Sequence, residues 1–226
     1  MTAQTKLPPL RLLVYDNTCR GKRFGVGLTH SWWLGASFYT HLKRFDAVCA
    51  AHDWAEALAF LTTFEAHRAI GEIQFWGHGK WGEARIAQQI LDISALEPDH
   101  AFSPALRTLA ARMDAPSARF WFRTCETFGG AKGHAFAAAF SQFLGCQVAG
   151  HTYIIGPWQS GLHNLSPNEE PYWPEDEGIK EGTAHAPRKA FWSTPRRPHT
   201  ITCFHHRFPE RHGNNRRNVQ SAPTKA

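Results

Sequence analysis

Two short apolar blocks of this 226-residue chain run into side chains that can do acyl-transfer chemistry. Ile73-Gln74-Phe75-Trp76 leads into Gly77-His78-Gly79, and Phe120-Trp121-Phe122-Arg123 leads into Thr124-Cys125. Each block reads as a buried strand, so His78 and Cys125 are expected at strand ends, 47 residues apart, the length of one strand-helix-strand unit. A thiol with an ordinary pKa of about 8.5 is mostly protonated at neutral pH, and a neighbouring imidazole favours the nucleophilic thiolate. A helix expected to open near Gly130 adds its dipole, with Gly129-Gly130 leaving backbone amides open. The N–H groups of Gly79 and Cys125 are the candidate donors to the oxyanion of an attacked carbonyl. Glycine at position 79 puts no Cβ in the way of a substrate. The predicted catalytic set is therefore His78, Cys125 and Gly79.

Other side chains are expected near the same rim, because the carboxyl ends of parallel strands form the ligand crevice of an open sheet. Asp16 closes the first apolar run and His151 follows the fifth; with Glu126 and Trp158 they are the candidate substrate-binding residues. Glu126 is also an anionic neighbour that raises the thiol pKa. A zinc site from His78, Cys125, His151 and Asp16 ranks low, since no His-x-x-x-His helix spacing supports it. No metal or cofactor is called for. A phosphatase loop needs an arginine six residues after the cysteine, where this chain has Ala131 and then Lys132. A glutamine amidotransferase places its histidine after the cysteine, an order that His134 or His151 supplies only loosely.

The elements that position these residues alternate. Strands are expected at Leu10–Tyr15, Ala47–Ala50, Glu72–Trp76, Arg119–Arg123 and Gln147–Ala149, with a small hairpin over 80–86. Helices are expected over 31–45, with Trp33, Leu34, Phe38, Leu42 and Phe45 near helical spacing, and from the capping Asp53 through His67, with Trp54, Leu58, Leu61 and Phe64 on one face. Two more cover 103–113, opening at Ser103-Pro104, and 131–144, ending at Gly145. The alternation predicts an α/β fold, a mostly parallel sheet with helices on both faces. After residue 152 the pattern dissolves into a stretch rich in Pro, Gly, Asn and Trp over 156–188, read as a long ordered loop. Phe191-Trp192 and Thr200–Phe204 suggest a terminal hairpin.

Composition bounds the rest. A hydrophobic fraction of 42%, with 16 Phe and 9 Trp, is enough for a real core and excludes a wholly disordered chain. No window approaches the roughly 18 apolar residues of a membrane span, and the N-terminus does not read as a secretory signal. Residues 207–226 carry +4 of the net +6, a basic tail expected to be solvated and disordered, so a nucleic-acid partner is not expected. Cys19, Cys49, Cys125, Cys146 and Cys203 form no Cys-x-x-Cys pair, which suggests free thiols in the cytoplasm. The expected organisation is an N-terminal extension over 1–9, one α/β domain over 10–206 and the basic tail.

An apolar block ending in His-Gly, followed by a second ending in Cys, resembles the caspase-like (clan CD) cysteine peptidases, in which the histidine precedes the cysteine by a similar span. The resemblance covers residues 10 to about 155 in element order and rests on the two motifs around His78 and Cys125. It implies a caspase-like three-layer sandwich, a thiol hydrolase acting on a peptide or protein substrate, His78 as general base or acid, Cys125 as nucleophile, and Gly79 with the Cys125 amide as oxyanion hole. Where caspases carry Gln-Ala before the cysteine and Gly two residues after it, this chain has Arg123-Thr124 and Thr127. The alternative is a non-catalytic binding or scaffold module on the same sheet, using 156–188 and the basic tail.

Overall fold

The computed structural model describes residues 7–19 and 27–196. In chain order the elements are β1 (Leu10–Asp16), α1 (Leu28–His41), β2 (Ala47–Ala51), α2 (Trp54–Thr63), β3 (Ile70–Trp76), β4 (His78–Lys80), β5 (Glu83–Ile86) and β6 (Gln89–Leu91). A 3₁₀ turn over Ile93–Leu96 leads to α3 (Ser103–Arg112), β7 (Arg119–Arg123), α4 (Gly130–Leu144), β8 (Gln147–His151), β9 (Leu162–Leu165), β10 (Ile179–Gly182) and β11 (Pro187–Ala190).

Six strands form one sheet in the order β2-β1-β3-β7-β8-β9. Its first five are parallel, and β9 returns antiparallel along β8. The chain steps outward from β1 to β2 on one side and to β3 on the other, so β1 and β3 flank the point where strand order reverses. In open α/β sheets that point is where the crevice forms.

The period of two along each strand sorts the core. Leu12, Val14, Ile73, Phe75, Phe120, Phe122 and Val148 join Trp54, Leu58 and Leu61 of α2, Leu106 and Leu109 of α3, and Phe136 and Phe140 of α4. Leu13, Tyr15 and Trp76 point to the opposite face, where Ala36 of α1 and Phe45 cover them. The protein is thus α/β with a mostly parallel sheet, as the alternation predicts. No helix among the described residues is long and apolar enough to cross a membrane.

Several local readings are corrected. Helix α1 starts at Leu28 and ends at His41; its Trp33, Leu34 and Phe38, and Leu42 just past its end, are exposed, while Ala36, the half-buried Trp32 and Tyr39, and the post-helical Phe45 make the core contact. Asp53 caps α2 through the Glu56 amide, but the helix stops at Thr63 rather than His67. There Arg112 reaches across from α3 and donates to the carbonyls of Leu61, Phe64, Glu65 and Arg68, ending the helix from outside. Ser103 lies inside α3, not at its cap. The expected loop over 156–188 holds β9, β10 and the first half of β11; Leu-His-Asn-Leu in β9 buries the polar His163 beside Leu165, and β10 and β11 carry little apolar alternation. Trp192 bridges to Ile154, while Thr200–Phe204, the basic tail and the end of the expected domain lie outside the described residues.

Candidate active site

Strands β3 and β7 are hydrogen-bonded neighbours, with Trp76 paired to Arg123 at their carboxyl ends. The chain leaves β3 through Gly77 into β4, whose first residue is His78, and leaves β7 into the turn holding Cys125. These two exits touch. A Cβ placed on Gly79 would lie 2.1 Å from Thr127 Oγ1, 2.7 Å from the Cys125 carbonyl oxygen and 2.7 Å from Thr124 Cβ. Glycine at 79 is thus explained by close packing of β4 on the cysteine turn, rather than by the substrate access expected from the sequence.

The turn is held from both sides. Thr127 Oγ1 donates to the Glu83 carbonyl at 3.0 Å and shares a 2.6 Å hydrogen bond with Thr124 Oγ1, while Gly82 N–H donates to the Thr127 carbonyl at 2.9 Å. On the other side Glu126 N–H donates to Tyr153 O and Phe128 N–H to His151 O. These bonds fix Glu126 at φ +45°, a left-handed conformation that costs a non-glycine residue on the order of 1–2 kcal/mol. Such strain beside a candidate nucleophile is where functional sites store it.

The Cys125 thiol is half-buried and donates to the Ile155 carbonyl at 3.8 Å. Burial pushes its pKa up, and the Glu126 carboxylate adds to the rise. Glu126 is itself raised by burial, partly offset by Lys80. The His78 ring is exposed, lies edge-on to Trp32 and places Nε2 3.2 Å from the sulfur of Cys19. Among the described residues His78 and Cys125 share no hydrogen bond: Gly79, next to His78, packs on the Cys125 carbonyl, while the two side chains are on different partners. The open amides expected at the start of α4 are taken, since Gly129 N–H donates to Glu126 O, Gly130 N–H to Glu175 O and Ala131 N–H to Ala184 O.

The remaining predicted residues fall apart into two groups. Asp16 is buried at the β1 end and faces the same pocket as His78, about 290 Å³ in volume and lined also by Cys19, Gly79, Lys80 and Arg85. His151 is fully buried inside β8, with Nδ1 3.2 Å from Ser160 O and Nε2 accepting from Trp121 at 3.3 Å. Burial pushes its pKa down to about 3, which makes it a neutral core residue rather than a cleft residue. Glu126 is buried in the turn, and Trp158 is exposed. Of the other loop tryptophans, Trp173 stacks on Phe128 in the core and Trp192 is exposed.

Cys19 is a site residue that the sequence patterns do not single out. It sits three residues after Asp16, past the end of β1, and that position relative to the strand was the available signal. Its thiol donates to Asp16 Oδ2 at 3.5 Å, and burial followed by the Asp16 charge raises its pKa. Of the four weak zinc candidates, Asp16 and His78 converge, with Cys19 in place of Cys125 and His151.

No protein-family model matches the sequence, and neither the curated proteins nor the solved structures gave a match.

Proposed function

We propose that this protein is a thiol hydrolase of caspase-like architecture, in which Cys125 attacks a peptide or related amide carbonyl and His78 handles the proton. The observation that carries this reading is the backbone contact between Gly79 and the Cys125 carbonyl, at the carboxyl ends of the paired strands β3 and β7. The sheet order and the helices on both faces are compatible with the three-layer sandwich that the sequence resemblance implies.

Because burial keeps the resting thiol protonated, His78 acts as a general base during attack and not as half of a standing ion pair. At rest the ring sits on Cys19 and Trp32, so this step requires it to leave them and reach Cys125 when substrate is bound. The sulfur–carbon bond forms as the thiol proton passes to the imidazole. The Cys125 amide, which donates to no acceptor among the described residues, is the donor this reading assigns to the oxyanion. Collapse of the adduct breaks the carbon–nitrogen bond, His78 returns the proton to the leaving amine, and water then hydrolyses the thioester.

A second reading, a non-catalytic binding module, is favoured by one observation: the thiol is engaged with Ile155 O beside the buried Glu126. Turnover of a fluorogenic peptide-amide library by the full chain separates the two. The hydrolase reading expects turnover that is lost in Cys125→Ala and falls by about 10²–10⁴-fold in His78→Ala. Turnover that survives Cys125→Ala, or none by the wild type on any member, contradicts it.

A further inference from the structure

We propose that Asp16, Cys19 and His78 form a binding site for a divalent cation of the zinc type, at the point between β1 and β3 where strand order reverses. Three chemically different donors meet there: a carboxylate oxygen, a sulfur and an imidazole nitrogen, all within 4.8 Å of one another. His78 Nε2 to Cys19 Sγ is 3.2 Å and Cys19 Sγ to Asp16 Oδ2 is 3.5 Å. A tetrahedral zinc ion with bonds of about 2.0–2.3 Å needs its ligands roughly 3.3–3.6 Å apart. The present spacing therefore requires movements of only a few tenths of an ångström for these two pairs.

The surroundings fit a metal better than a chance cluster. Asp16 is buried and its second oxygen is fixed, Oδ1 accepting from Thr18 N–H at 2.8 Å and Thr18 Oγ1 at 2.6 Å. A ligating carboxylate oriented in this way by hydrogen bonds is the usual outer arrangement of a metal centre. Asp16 and a Cys19 thiolate together balance a 2+ ion, and the nitrogen–sulfur–oxygen donor set suits a borderline-soft cation rather than calcium or magnesium. The three ligands come from two strand ends and line one pocket with Lys80 and Arg85, which leaves room for a further, non-protein ligand. Such an open position distinguishes a reactive or regulatory site from a closed structural one.

The site shares His78 with the hydrolase reading but does not depend on it: a bound cation occupies the ring nitrogen that hydrolysis uses, whether or not hydrolysis occurs. The test is titration of the full, reduced chain with Co²⁺, followed by the thiolate-to-cobalt absorption in the near ultraviolet and by displacement with Zn²⁺. One equivalent is expected to bind. Cys19→Ser removes the thiolate band, His78→Ala weakens binding by at least tenfold, and Thr18→Val weakens it by about 10–100-fold through Asp16. Cys125→Ala keeps the band and the affinity, so loss of hydrolysis in that variant and loss of metal binding in Cys19→Ser are separate results. Circular dichroism without metal checks that each variant folds, and a rise in Tm with Zn²⁺ for wild type but not for Cys19→Ser supports the site independently. No saturable band, a band that persists in Cys19→Ser, or a band lost in Cys125→Ala overturns the proposal.

Discussion

Gly79 lies directly on the carbonyl of Cys125, so closely that a methyl group at 79 would come within 2.7 Å of that oxygen. The contact locks the strand that begins with His78 to the turn that carries the thiol. It makes the two candidate catalytic groups a consequence of one packing interface, even though their side chains bond elsewhere at rest.

Gly79→Ala is therefore expected to lower stability by about 1–3 kcal/mol, the usual cost of overpacking, because Thr127 and the cysteine turn must shift. Equilibrium denaturation measures this. An unchanged midpoint contradicts the packing role.

Glu126→Gln removes a negative charge next to the Cys125 thiol, whose pKa is raised first by burial and further by that charge. In the alkaline range where the thiol titrates, Glu126 is ionised. Alkylation of Cys125 is accordingly expected to rise with pH along a curve whose midpoint lies above that of an ordinary thiol, and to move to lower pH in Glu126→Gln. Rates read by mass spectrometry at that cysteine give the curve, and a midpoint that stays or rises contradicts the electrostatic account.

His151 tests a different part of the fold. Its folded pKa is pushed down to about 3, mainly by burial, against about 6.5 in the unfolded chain. The unfolded state therefore binds the extra proton first, and this residue's contribution is intact above about pH 6.5 and lost as pH falls toward 3. Within that window one such group costs roughly 1.4 kcal/mol per pH unit. His151→Gln keeps polar atoms for Trp121 and Ser160 and removes the titration, so its stability is expected to fall less steeply with acid than that of wild type. Parallel slopes in denaturation at several pH values contradict this.

The sequence is informative where one periodicity rules and weak where tertiary contacts decide. Arg119–Arg123 is read to the residue, and α4 is placed within one residue because Gly145, at φ +64°, stops it. The end of α2 is set by Arg112, 44 to 51 residues away, which no local pattern reports. The apolar residues the spacing singles out in α1 fall on an exposed side, whereas the inner contacts are Trp32, Ala36 and Tyr39, beside Gly35 pressed on Trp76. His78 and Cys125 are identified because each follows an apolar strand. Cys19 escapes because strand order, which puts β1 next to β3, is what brings it to His78. His151 looks like a rim residue, but it is the last residue of β8 and pairs with Leu162 of β9, which adds a further strand beside it.

The most direct measurement is the position of covalent labelling by a peptide electrophile directed at thiol hydrolases, mapped by peptide mass spectrometry on the full chain. The account predicts label on Cys125 in wild type, strongly slowed labelling in His78→Ala, and no transfer of the label to Cys19 in Cys125→Ala. Label on Cys19 with Cys125 unmodified would contradict it.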